Sequence, residues 1–134
     1  MTSFDTFLTE RERASTAFVE GDVGPLLAVS VADDPATIYP PNGAVVVGAE
    51  GVNGGNTAGA ASFAPGAENR FEIVHSGSDG DLGYWTGLQH AKVRLSGQDE
   101  PIEMHLRITE LFRHEDGAWR LIHRHADPLV TAET

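Results

Sequence analysis

The chain has no cysteine. Disulfides, thiolate nucleophiles and Cys-ligated metals are therefore excluded, and nothing points to a secreted, cross-linked scaffold. Basic residues are also scarce, with nine Lys and Arg against twenty Asp and Glu, for a net charge of −11. Such an excess repels phosphate backbones and anionic lipid headgroups, so neither nucleic acid nor a membrane is an expected partner. No run approaches the roughly 20 apolar residues that cross a bilayer. The segment MTSFDTFLTERER at the start carries no apolar core of a secretory signal. The expected location is the cytoplasm. The 134 residues suit a single domain, 1–134, able to bury a core of its own.

What is present is clearest in residues 102–127, IEMHLRITELFRHEDGAWRLIHRHAD. Apolar and polar residues alternate, break at Asp116-Gly117 and alternate again, the pattern of two long antiparallel strands joined by a tight turn. Upstream, Phe4, Phe7, Leu8, Ala14, Ala17 and Phe18 recur at helical spacing over residues 3–20, with Asp5 at the start and Gly21 at the stop. Asp22 is placed to cap a second, shorter helix, which ends by Asp33-Asp34-Pro35. Short strands are expected at 36–39 and 45–47, separated by the turn Pro40-Pro41-Asn42-Gly43. Residues 48–66 hold six glycines; at about 0.5–1 kcal/mol per interior Gly, they predict a weak, frayed helix, either a mobile lid or a connector. Strands follow at 70–78 and 82–95 before the hairpin. Helices first and a meander after them make an α+β plan, a curved antiparallel sheet with helices laid across one face.

The ending DGAWRLIHRHADP, the preceding TELFRHE, the strand GDLGYWTG and the opening order of helix, Gly-Asp, short helix and DDPATIYPPNG resemble the SnoaL-like proteins of the NTF2-like superfamily. That superfamily also holds ketosteroid isomerase and the association domain of calmodulin-dependent kinase II. The resemblance implies a cone whose concave sheet face and N-terminal helices enclose a pocket, and whose convex face forms a homodimer. It does not imply an activity, because the fold hosts enzymes, scaffolds and binders. The isomerase's catalytic base matches Pro40 here and its oxyanion tyrosine matches Ala14, so steroid isomerase chemistry is not supported.

Within the hairpin, Ile102, Met104, Leu106, Ile108, Glu110 and Phe112 share one face, and Glu110 is its only charged member. A four-residue turn at 115–118 is read as setting Arg124 opposite Glu110 and Ile122 opposite Phe112, so that Glu110 and Arg124 form an ion pair in the pocket. The kinase association domain has pocket arginines at the positions matching Glu110 and Ala126, so both have changed here. A Glu held by an Arg is a poor general base, since the cation lowers its pKa; it orders the pocket or orients a polar ligand. His123, His125 and Asp127 share the opposite face at metal-like spacing. They read as structural or interface groups ahead of a metal site, on the dimer face with Trp85 and Leu121, and Asp127 is equally placed to pair with Arg107. The resemblance sets Thr86 on the concave face, so Tyr84, Thr86, Leu88 and His90 are expected to line the pocket with Ile108, Glu110, Phe112 and Arg124, and Tyr39 to stand near its mouth. His90 and Glu110 are the acid/base candidates.

Three functions follow. The first is a protein that binds a small hydrophobic or part-polar ligand, with no cofactor and no metal. The second is an isomerase, cyclase or hydratase acting on a hydrophobic carbonyl compound. The third is a dimerisation module without a ligand.

Overall fold

A computed structural model describes residues 3–130; residues 1–2 and 131–134, the ends of the expected domain, lie outside the described part. Helix α1 spans Phe4–Val19, α2 spans Gly24–Ala28 and α3 spans Ala49–Ala60. The strands are β1 (Thr37–Tyr39), β2 (Val46–Val47), β3 (Phe63–Asp79), β4 (Leu82–Leu95), β5 (Ile102–Glu115) and β6 (Ala118–Pro128). They form one curved, unclosed sheet in the order β2-β1-β6-β5-β4-β3, antiparallel except where β1 runs parallel to β6. This is the expected α+β plan.

The Ser3 side chain caps α1 by accepting from the Thr6 amide. The helix turns Phe4, Phe7, Leu8, Arg11, Ser15 and Val19 into the protein, a stripe at i, i+3, i+4 and i+7 in which Arg11 is the one charged residue. Phe4 and Phe7 meet Phe112 edge to face at centroid distances of 5.5 and 5.2 Å, and Phe4 meets Trp119 at 4.9 Å. These rings and Leu26, Trp85, Leu106, Ile108 and Leu121 form the main core cluster. Asp22 does not cap α2 as a helix N-cap; Val23 holds that place, and the Asp22 carboxylate takes the Gly24 amide.

Helix α3 is a complete helix rather than a frayed one. Its glycines are offset by anchoring: Asp34 accepts the Ala49 amide at 2.6 Å, Asn53 donates to the Val31 carbonyl, and Ala49, Val52 and Ala60 are buried. β3 starts at Phe63, seven residues before the expected strand, because Phe63, Ala64, Glu68 and Asn69 find partners on the far end of β4, on either side of an irregularity at 65–67. Near its middle β3 bulges between Ile73 and His75 and leans over Gly87, where a Cβ would collide with the Glu72 carbonyl.

The β5–β6 turn is not the expected four-residue turn at 115–118 but a two-residue turn at Asp116 and Gly117, both at positive φ (52° and 80°), with Glu115 facing Ala118. Phe112 faces Leu121 and not Ile122, so one correction to the expected register is needed. Ile122 is the extra residue of a bulge between Leu111 and Phe112, and beyond it Glu110 faces Arg124 as expected.

Candidate functional site

The inner face of the sheet, α1, α2, α3 and the loop at Pro40 and Pro41 surround a cavity of about 420 Å³. Its wall is mostly apolar: Phe18, Val19, Leu26, Val31, Ile38, Val52, Phe63, Met104, Leu106, Leu121 and Ile122 contribute to it. The polar residues at the wall include Arg11, Ser15, Asn53, Asn56, Gln89, His123 and Arg124.

Behind Arg11 and Arg124 lies Glu110, with no solvent exposure at all. It accepts Arg11 Nε at 2.9 Å, Arg11 Nη2 at 2.7 Å, Arg124 Nη1 at 2.7 Å and Trp85 Nε1 at 2.8 Å. Four donors fill the four lone-pair positions of the carboxylate. Burial alone pushes the Glu110 pKa up; the charges and hydrogen bonds of Arg11 and Arg124 together outweigh it and hold the group below the usual carboxylate range. Arg124 is shifted down, because its burial and the nearby Arg11 charge outweigh the pull of Glu110. A second relay extends the cluster: Arg124 Nη2 donates to Gln89 Oε1 at 2.6 Å, and Gln89 Nε2 donates to Ser15 Oγ and Asn69 Oδ1. Phe71 roofs it, stacked on Trp85 at 4.5 Å and with the Arg11 guanidinium 5.5 Å from its ring centre.

Of the residues expected at the pocket, Arg124 is at the cavity wall and Glu110 is directly beneath it. Ile108 and Phe112 point inward but are absorbed in the aromatic core. Tyr84, Thr86, Leu88 and His90 lie on the other face. Trp85 is the cross-strand partner of Glu110, and partners project to the same side, so the inward set of β4 is Trp85, Gly87, Gln89, Ala91 and Val93. The same parity corrects the place of Trp85, expected on the outer face and found fully buried. Leu121 is likewise buried, turned inward by the bulge at Ile122. Tyr39 is on the outer face, 4.7 Å from the ring centre of His123 and 5.4 Å from that of His125. His123 shares a 2.6 Å hydrogen bond with Thr37, and its pKa is lowered by partial burial and by His125.

His90 is bonded to His105 (Nδ1 to Nδ1, 2.8 Å) and to Glu72 (2.9 Å) on the outer face, outside the cavity. Asp127 takes both Arg107 Nε and Nη2, at 2.6 and 2.9 Å, and sits 3.6 Å from His125. Among the described residues no group of three or more His, Asp or Glu is arranged to hold a metal ion, and no helix is long and apolar enough to cross a membrane.

The polar wall residues that sequence reasoning missed include Arg11, Ser15, Asn53, Asn56 and Gln89, and His123, expected on the dimer face, also reaches the cavity wall. Arg11 was legible as the one charge on the apolar stripe of α1. Gln89 carries no such mark, because the parity of β4 is not set by its own residues.

A family model described as a SnoaL-like domain matches residues 12–131. No curated protein matches the chain. Among solved structures, it is similar to a candidate calcium/calmodulin-dependent protein kinase type II association domain from Thiobacillus denitrificans, at 20% identity and TM-score 0.72, covering 92% of this chain and 94% of that one. It is similar to a candidate dehydratase of the NTF2-like family from Streptomyces avermitilis, at 19% identity and TM-score 0.72 over 96% and 100% of the two chains. A candidate scytalone dehydratase from Novosphingobium aromaticivorans is alike at 12% identity and TM-score 0.76, over 96% of this chain and 85% of that one. At such identities the likeness is one of fold.

Proposed function

We propose that this chain, which belongs to the SnoaL-like domain family, binds a small molecule with an apolar body in the cavity beneath α3. The observation that carries the reading is the cavity itself, about 420 Å³ of apolar wall with one cluster of oriented polar groups at Arg11, Gln89 and Arg124. That combination is the usual composition of a small-molecule site: apolar area supplies affinity, and a few fixed polar groups supply orientation.

Binding is better supported than acid/base catalysis. His90 faces away from the cavity, and every acceptor position of Glu110 is engaged, so neither is placed to take a proton from a molecule held there. The outer face, with Tyr39 and Leu111 exposed, supports a homodimer as the companion proposal, tested by light scattering. We also propose a cytoplasmic location, which cell fractionation tests.

The test is thermal stability against a panel of neutral, acidic and basic small molecules. A ligand of the folded state at 100 times its dissociation constant adds about 2.7 kcal/mol. The stabilising compound is expected to lose its effect in Met104→Trp, which fills the cavity from its wall, with the fold checked by circular dichroism. A panel in which no compound raises the midpoint sinks the reading.

A further inference from the structure

The charges at the cavity narrow the class of ligand, and this inference rests on the binding reading just given. The chain holds twenty acidic residues, yet none of those among the described residues lines the cavity, while two of its nine basic residues do. Arg11 and Arg124 share a single carboxylate, Glu110, which lies behind them with no exposed surface. A guanidinium does not lose its proton in a protein, so the cluster keeps one uncompensated positive charge. His123, the other titratable group at the wall, is pushed toward its neutral form and adds none.

Hydrogen-bonding capacity is also left over. The two guanidiniums carry ten N–H bonds, of which their contacts with Glu110 and Gln89 engage four. Arg11 Nη1 is buried with no partner. On α3 across the cavity, Asn56 is more than nine-tenths buried and lines the cavity, and its side chain makes no hydrogen bond to any described residue. Its neighbour Asn53 uses its amide nitrogen on Val31 and leaves Oδ1 buried and unpartnered. Unpaired polar groups away from water are costly, and the Asn56 amide and the remaining N–H groups of Arg124, on residues that line the cavity, are answered by a ligand with polar atoms.

We propose that the ligand is an amphiphilic monocarboxylate, its carboxylate set toward Arg11 and Arg124 and its apolar body lying against Val31, Leu106 and Phe63, with the Asn56 amide bonded to a polar atom of the ligand. One negative charge brings the buried cluster to neutrality. A phosphate dianion overshoots to a net negative charge, and an amine doubles the positive one; both leave charge stranded away from water. The planar guanidinium fork also matches a carboxylate in shape.

Three molecules with one body and different heads test this: octanoate, octan-1-ol and octylamine, titrated near neutral pH by calorimetry and by the fluorescence of Trp85, whose indole N–H touches Glu110. Octanoate is expected to bind at least about tenfold tighter than octan-1-ol, the difference one charge-assisted hydrogen bond makes, and octylamine most weakly. Asn56→Leu leaves the ion cluster intact and is expected to weaken octanoate more than octan-1-ol. Equal affinity for acid and alcohol, or a preference for the amine, overturns the carboxylate assignment and leaves the binding reading standing. Octanoate binding that survives Met104→Trp unchanged places it outside the cavity and overturns the assignment as well. Absence of binding by all three, together with a silent panel, overturns both.

Discussion

The same hairpin carries two arginine–carboxylate contacts of nearly the same geometry on its two faces. Inside, Arg11 grips Glu110 through Nε and Nη2 at 2.9 and 2.7 Å; outside, Arg107 grips Asp127 through the same two nitrogens at 2.6 and 2.9 Å. What differs is water. The inner side chains are 2% and 0% exposed, the outer ones 63% and 33%. In the outer pair, solvent screens the attraction and replaces either partner if it is removed. In the inner cluster nothing replaces a lost partner, so the geometry becomes obligatory. Distances alone do not reveal which contacts a fold depends on.

The largest effect expected from this contrast comes from Glu110→Ala, which strands two guanidiniums in the interior and is expected to cost about 3–5 kcal/mol in urea unfolding. A loss as small as that of a surface substitution would break the comparison. Trp85→Phe keeps the ring stacked on Phe71 but withdraws the indole N–H from Glu110, and about 1–2 kcal/mol is expected by the same measurement.

Acid sharpens the distinction. Because the folded-state pKa of Glu110 is depressed, the stability it contributes is complete above its unfolded pKa of about 4.3 and is lost as pH falls through the lower folded value. Unfolding midpoints measured from pH 6 downward should drop steeply below about pH 4 in the wild type, and Glu110→Gln should flatten that drop. Asp127→Asn should leave most of it in place. His123 gives a smaller signature. Its folded pKa lies below the unfolded value of about 6.5, so stability should rise with pH in the window just under that value. His123→Asn should remove the slope. The smallest effect is expected of Arg107→Ala, whose unfolding midpoint should coincide with that of the wild type; a clear shift would show that the outer face is not solvated as it stands and would point to a covered interface.

Much of this architecture is readable in the chain. The alternation of residues 102–127 and the Asp116-Gly117 break were legible, because each depends on residues close in sequence; the facing of Glu110 with Arg124 came out as expected because the bulge at Ile122 shifts the register set by the turn by one residue. β4 was not. Its inward set contains Gly87 and Gln89 beside Trp85 and Val93, and its outward set contains Leu88 beside Thr86 and His90, so neither set is the more apolar by enough to choose. The extent of β3 was hidden for a related reason: Pro65 and Gly66 interrupt the pairing, and the residues on either side, 63–64 and 68–69, pair only because β4 is long enough to receive them.

By itself the sequence determined the order of elements, the break of the hairpin at Asp116-Gly117 and the presence of one carboxylate on an otherwise apolar strand face, since these follow from local periodicity and turn chemistry. Only the tertiary structure decided what that carboxylate meets. Arg11 comes from a helix 99 residues away, and Trp85 faces Glu110 through a register that period-two alternation cannot distinguish from its one-residue slip. That choice belongs to long-range strand pairing, to the bulge at Ile122 and to the docking of α1, which together set which face of the sheet is closed from water.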